Sequence, residues 1–163
     1  SYAVSDILFY NNQLFVSNPS DYNYSINQYN YNPYNHQLTF SDSIITDYKV
    51  NTVTAYGEYL LAGMKDGGCY ITLLNQYGIS DDNIDKLHIA DNLSVQSINY
   101  DEENNMILLS CGSDGVLLYE WDGLSLNTTL IAHIMSSYAY SALLYGNSKV
   151  VIGSDNGIEV FNY

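Results

Sequence analysis

Arginine is absent from this sequence, and only 4 lysines stand against 18 acidic residues, so the 163-residue chain carries a formal net charge of −14. Proteins that bind nucleic acid neutralise its phosphates with Lys and Arg side chains. We therefore exclude nucleic acid as a partner. The same repulsion excludes anionic membrane surfaces and phosphate-rich metabolites.

Long hydrophobic runs are also missing. No apolar stretch approaches the 18 or so residues of a membrane-spanning helix, and no charged-then-apolar signal segment opens the chain. We predict no membrane span, and we interpret the start at Ser1 as that of a processed product or of a segment of a longer chain. The hydrophobic content of 47% is enough to form a core, which predicts one folded domain over residues 1–163.

Cysteine is scarce, with Cys69 and Cys111 as its two examples. They could form one disulfide or remain two buried free thiols. They lie at different offsets within the repeat described below, which argues against their facing each other.

Low lysine accompanies high asparagine and tyrosine, with 19 and 18 residues respectively. This combination suggests selection against basic surface charge, which is typical of secreted proteins and of proteins from salty habitats. Three possible glycosylation sequons, at Asn23, Asn92 and Asn127, are close to chance in so asparagine-rich a chain. We expect an extracellular or cell-surface location.

An internal repeat is the main positive signal. The tyrosines Tyr10, Tyr56, Tyr100 and Tyr145 occupy matching places in similar segments and are spaced 46, 44 and 45 residues apart. The chain therefore divides into four repeats, at residues 4–48, 49–93, 94–137 and 138–163.

Each repeat consists of short apolar or alternating segments separated by Gly, Asn and Asp, which predicts antiparallel strands. The third repeat predicts strands at residues 95–100, 106–111, 116–121 and 128–133. Turns such as Gly-Ser-Asp-Gly at 112–115, with counterparts at 65–68 and 153–157, supply the positive-φ positions of tight hairpins. A helix is expected nowhere except for a possible short turn at 82–90.

A repeated four-stranded unit of about 45 residues is typical of a β-propeller blade. Segments 59–71, 106–121 and 150–161 resemble the LVIVD-type repeat of bacterial and archaeal surface propellers and, more distantly, WD40 blades. The resemblance covers residues 50–163 well, whereas the first repeat departs from it at 18–24. It implies an all-β propeller fold and transfers no catalytic residue.

The length leaves the fourth repeat without its outer strand, since the chain stops after the third strand of that repeat. Three alternatives follow: a four-bladed ring closed by its own N-terminus, a fragment of a longer propeller, or an open element that borrows a strand from another chain. A bare edge strand at 158–163 would promote aggregation, which predicts a protein partner or self-assembly through an open blade edge.

The most distinctive segment, residues 21–36, alternates tyrosine with asparagine, a pairing used in antibody paratopes and on sugar-binding faces. It predicts either a recognition loop or a long hairpin whose tyrosines pack over their own sheet, with a turn at Pro33. The candidate binding residues are Tyr22, Tyr24, Tyr29, Tyr31 and Tyr34.

Acidic clusters raise the possibility of Ca²⁺, with Asp81, Asp82 and Asp85 as weak candidate ligands, but neither 80–85 nor 101–105 has the spacing of a known calcium loop. We therefore expect solvated turns there and no cofactor. The three histidines lie in different repeats, and no catalytic motif is present. A glycosidase pair of carboxylates cannot be assigned from sequence.

We therefore expect a non-catalytic, acidic, tyrosine-rich β-propeller module for protein interaction or assembly, secreted or surface-exposed. A glycan-binding or glycan-processing propeller is the alternative.

Overall fold

A computed structural model describes residues 4–19, 24–74, 86–146 and 148–163. Within these ranges the protein is entirely β-structure, with fifteen strands and no helix. No helix long and apolar enough to cross a membrane occurs among these residues. The all-β prediction is confirmed.

The strands form four separate antiparallel sheets, and the strands of each sheet follow one another in chain order. Sheet 1 contains β1 (Ile7–Tyr10), β2 (Gln13–Pro19), β3 (Tyr24–Asn32) and β4 (Gln37–Thr46). Sheet 2 contains β5 (Val50–Tyr56), β6 (Tyr59–Met64), β7 (Gly68–Leu73) and β8 (Lys86–Ile89). Sheet 3 contains β9 (Ser97–Asp101), β10 (Met106–Ser110), β11 (Val116–Glu120) and β12 (Thr129–Ile134). Sheet 4 has three strands, β13 (Ala139–Tyr145), β14 (Lys149–Ser154) and β15 (Gly157–Asn162).

Successive sheets pack face to face, and each junction has its own hydrophobic core. Phe15 and Ile26 of sheet 1 pack with Leu60 of sheet 2. Sheets 2 and 3 share a second core, and sheets 3 and 4 a third. We call the face that a sheet turns to the preceding sheet its front face, and the opposite one its back face.

The first strands of neighbouring sheets lie side by side, β1 by β5, β5 by β9 and β9 by β13. All four sheets therefore have the edge formed by their first strand on the same side of the molecule. No hydrophobic cluster in the described residues joins sheet 4 to sheet 1. The four sheets do not close into a ring, and their identity as propeller blades stays a prediction.

The sequence located most strands well. The four strands expected in the third repeat are present, each within two residues of its predicted ends. The possible helical turn at 82–90 was wrong where it can be compared, because residues 86–89 form β8, which pairs with β7. Apolar and polar side chains alternate there, as a half-buried strand requires.

The hairpin turns use the backbone conformations that the sequence predicted. Gly115 and Gly157 have φ values of +76° and +97°, and Asp66 has +61°. The β1–β2 turn has consecutive positive φ values at Asn11 and Asn12, which is typical of the type I′ hairpin.

Both cysteines are free thiols, and both are buried in the core between sheets 2 and 3. The expectation that their different offsets separate them was wrong, because consecutive sheets contribute opposite faces to one core. Burial raises the pKa of Cys69 far above its usual value and that of Cys111 to about 12. Neither thiol is therefore a nucleophile in the folded protein.

Candidate interaction surface

Among the described residues, no sheet packs on the front face of sheet 1. Cross-strand partners share a face, so the pairs Phe9–Leu14, Leu14–Tyr29 and Tyr31–Leu38 place these side chains together. We define the front patch as the apolar residues of this face, which are Ile7, Phe9, Leu14, Val16, Tyr29, Tyr31, Leu38, Phe40 and Ile45.

Large apolar side chains of the front patch are open to solvent. Phe9 is 54% exposed, Phe40 is 58% exposed and Ile45 is 69% exposed. Exposed apolar side chains that adjoin one another mark interaction sites far more often than isolated ones do. The front faces of sheets 2, 3 and 4 are by contrast buried within the junction cores.

Aromatic contacts hold the front patch in a fixed shape. Phe9 packs edge-on against Tyr31 and Tyr29 against Phe40, each pair with ring centroids 5.7 Å apart. The Tyr31 hydroxyl lies 2.6 Å from Nδ1 of His36 in the following turn. Such rigid aromatic surface loses little conformational entropy on binding.

The structure divides the predicted tyrosines. Tyr29 and Tyr31 belong to the front patch. Tyr24 lies on the opposite face of β3, the face that also carries Ile26. Tyr34 is 95% exposed in the turn at 33–36 that Pro33 predicted. Tyr22 lies outside the described residues.

The segment from Tyr24 to His36 is therefore strand β3 and the turn of the long β3–β4 hairpin, rather than an irregular loop. Sequence reasoning missed Ile7, Phe9 and Phe40, although the two-residue period of a strand puts Ile7 and Phe9 of the apolar run 7–10 on one face.

A second uncovered face lies at the other end of the molecule, on the back of sheet 4. We define the back patch as Leu143, Tyr145, Val151, Ile158 and Val160, which the register of β13, β14 and β15 places on one face. Tyr145 is 68% exposed and Ile158 is 79% exposed. β15 is the outer edge of a three-stranded sheet, where its counterparts in the other sheets have a fourth strand beside them.

Charge is nearly absent from both patches. No described residue that the register places on the front face is charged, and Lys149 is the one acidic or basic residue of the back face among those described. The acidic residues that give the chain its charge lie elsewhere. Desolvating either patch therefore requires little loss of ionic hydration.

A tyrosine-lined cleft of about 360 Å³ opens where the first strands meet, with Tyr10, Tyr56, Glu58 and Tyr59 in its wall. Tyr10 donates a hydrogen bond to the carbonyl oxygen of Gly57 at 3.0 Å. Tyr56 donates to Glu102 at 2.9 Å, and this bond is the main reason that its pKa is raised to about 12. Aromatic rings with carboxylate and hydroxyl groups are the usual lining of a sugar site.

A second, more open cleft of about 430 Å³ contains two carboxylates, Glu120 and Asp122, beside Trp121. Asp122 accepts backbone hydrogen bonds from Leu124 and Ser125, and the first of these is the main cause that lowers its pKa. Asp122 therefore stabilises the turn at 122–125 through these hydrogen bonds.

The histidines hold turns together. His88 and His133 each place Nε2 against a carbonyl oxygen, of Gly67 and Asp114 respectively, in the turn between the second and third strands of their sheets.

No group of three metal-ligating side chains occurs in the described parts of the chain. The candidate calcium ligands Asp81, Asp82 and Asp85 lie outside those parts. At 101–105, the backbone N–H and the side-chain amide of Asn104 both donate to Oδ1 of Asp101 and so stabilise the turn.

No family model and no curated protein matches the chain. Solved structures similar to it in fold include two computationally designed proteins. The crystal structure of the computationally designed Ika4 protein has a TM-score of 0.70 and 12% identity, over 98% of this chain and 91% of Ika4. That of the computationally designed Ika8 protein has a TM-score of 0.65 and 13% identity, over 99% of this chain but 46% of Ika8. The chain thus spans about half the length of Ika8.

Proposed function

We propose that the chain is a non-catalytic module built of β-propeller blades, whose function is to bind protein through the uncovered faces of its end sheets. The observation that carries this proposal is the front patch, a rigid apolar and aromatic surface without charge. A chain with net charge −14 stays soluble while it exposes such a surface, because its copies repel one another at long range. We also infer an extracellular or cell-surface location, from the arginine-free acidic composition.

Four features support the propeller arrangement. The sheets have four, four, four and three strands in meander order, and each lies within one of the repeats at 4–48, 49–93, 94–137 and 138–163. They pack face to face in sequence, and their first strands adjoin. A ring of blades requires all four features.

Site-specific photo-crosslinking in the source cells tests the proposed function. Benzoylphenylalanine replaces Phe9 in the front patch or Tyr145 in the back patch, and Leu124, an 82% exposed loop residue, is the control position. We expect covalent protein adducts from the two patch positions and none from the control, with the partner identified by mass spectrometry. Equal labelling at all three positions, or no adduct from either patch, would exclude binding through these faces.

The tyrosine-lined cleft supports a second candidate function, the binding of glycan. A glycan array probed with the purified chain tests it. Specific retention of one sugar class that disappears in Glu58→Ala and persists in Leu130→Ala would favour this function. If the array retains no glycan-bound protein, glycan binding is excluded as a function of this chain.

A further inference from the structure

Every junction within the chain pairs the back face of one sheet with the front face of the next. The junctions use equivalent strands, since the second strand of each sheet supplies its central apolar residues: Phe15 on the back of sheet 1 and Leu60 on the front of sheet 2 in one case, and Leu108 and Ile152 in another. The end patches are the two faces that this series leaves unused, a front face on sheet 1 and a back face on sheet 4.

On its second strand, the front patch matches the front face of sheet 2 at two positions. Leu14 and Val16 stand on the front of β2 where Leu60 and Ala62 stand on the front of β6, counted from the preceding Tyr10 and Tyr56. The pair on β6 is buried against sheet 1. The front patch is therefore shaped to receive the back of another sheet of the same kind.

A polar contact repeats at the first two junctions, whereas at the third Tyr100 lies on the front face of sheet 3, beside Ile107. Tyr10 and Tyr56 end the first strands of sheets 1 and 2, and each donates its hydroxyl hydrogen to the β-turn of the following sheet, at Gly57 and Glu102 respectively. Tyr145 ends the first strand of sheet 4 and lies on the back face of that sheet, as Tyr10 and Tyr56 do on theirs. It pairs across the strands with Lys149 and is 68% exposed.

The matching turn on sheet 1 contains Asn11, whose place after Tyr10 corresponds to that of Gly57 after Tyr56. Its carbonyl group is the acceptor that the repeat predicts for Tyr145, provided that sheet 1 of another molecule lies against sheet 4.

We propose that the partner of both patches is a second copy of this chain, bound head to tail, so that the back patch of each copy packs on the front patch of the other. This inference rests on the proposed function and names its partner. Two copies make a closed set of eight sheets, which lies within the four to eight blades of known propellers, whereas three copies exceed it. Ika8, about twice as long as this chain, matches the four-sheet arrangement over 46% of its length.

The first test is the mass of the purified full chain by light scattering, before and after substitution. The native chain and the control Leu124→Glu should have twice the 18.3 kDa mass of one chain. Phe9→Glu in the front patch and Val160→Glu in the back patch should each be monomers, because each places an unpaired charge in both junctions of the ring. Ile7→Glu and Ile158→Glu form a second pair, to be used if a first variant fails to give the native circular dichroism spectrum.

Mixing the two monomeric variants separates a head-to-tail dimer from one in which like patches pair. In a mixture of Phe9→Glu and Val160→Glu, one junction contains both substitutions and the other contains neither, so a one-to-one complex should re-form. If two front patches pair with each other instead, Val160→Glu remains dimeric alone and mixing changes nothing, which would overturn the proposal.

A native chain that is monomeric up to its solubility limit, or one that forms open filaments, would also overturn the proposal. In the monomer case, a crosslink from Phe9 to a different protein would leave the proposed function intact. Absence of any crosslink from either patch would exclude both the head-to-tail dimer and the proposed binding function.

Discussion

At the residue scale, the turns between strands leave no room for side chains at certain glycines. A Cβ atom on Gly115 would lie 2.1 Å from the carbonyl oxygen of Ile134, and its φ is +76°. Gly146 has a similar positive φ of +61°, but nothing lies within 4 Å of the equivalent position. The two glycines therefore separate backbone strain from steric overlap.

We predict that Gly146→Ala lowers the free energy of unfolding by about 1 kcal/mol, the usual penalty for a left-handed alanine. Gly115→Ala should lower it by about 3 kcal/mol or more, because overlap with the β12 backbone adds to that penalty. Urea denaturation of both variants measures the difference. Equal losses would show that the β12 backbone moves away from Gly115 without cost.

The buried thiols give the stability of the protein a dependence on alkaline pH. Folding raises the pKa of both thiols above the unfolded value of 9.0, so the folded chain keeps protons that the unfolded chain releases. Their contribution is therefore complete below pH 9 and is lost as the pH rises above it.

We predict that the free energy of unfolding falls by about 1.4 kcal/mol per pH unit for each thiol above pH 9. Urea denaturation between pH 8 and pH 10.5 measures this slope. Cys69→Ala should show a shallower slope than the native chain, whatever its stability at pH 8. Identical slopes would show that ionisation of tyrosines, rather than of Cys69, causes the loss of stability at alkaline pH.

At the scale of elements, the sequence predicted what local chemistry determines. Apolar alternation and Asp-Gly or Asn-Gly turns located the strands, because hairpins are set by residues close together in the chain. The role of the tyrosine segment could not be settled in this way. Tyr29 and Tyr31 show the alternation of a strand with one packed face, and only the arrangement of the sheets reveals that no other sheet covers it. The sequence also could not predict that Cys69 and Cys111 share one core, because this depends on which faces consecutive sheets turn toward each other.

The outer strand β12 is connected to the β10–β11 turn by one side chain. Nε2 of His133 lies 2.6 Å from the carbonyl oxygen of Asp114. His133→Ala should lower the free energy of unfolding by about 1 kcal/mol, the usual value of one hydrogen bond. It should also increase amide hydrogen exchange in β12 while leaving β9 unchanged. Leu130→Ala, on the same strand and half-exposed, is the control; equal exchange in both variants would contradict this role for His133.

At the scale of the whole molecule, charge and apolar surface act in opposite directions. Each chain carries −14, and both end patches are almost uncharged. Repulsion between copies is screened by salt, since the Debye length falls from about 10 Å at 0.1 M to about 3 Å at 1 M. Packing of apolar faces does not lose strength in sodium chloride.

We predict that the dissociation constant of the dimer falls by at least about threefold when NaCl rises from 0.1 M to 1 M, as expected for like-charged copies joined by apolar faces. Sedimentation equilibrium, at concentrations where monomer and dimer coexist, measures it. Dissociation promoted by salt would instead indicate that ion pairs hold the copies together.

In the proposed dimer, the back patch of one copy lies on the front patch of the other. An isotope-filtered nuclear Overhauser experiment tests it directly, with an equimolar mixture of ¹³C-labelled and unlabelled chains. We expect intermolecular signals from the methyl groups of Ile158 and Val160 to the aromatic protons of Phe9 and Tyr31. Intermolecular signals that join only like patches, or none from either patch, would contradict it.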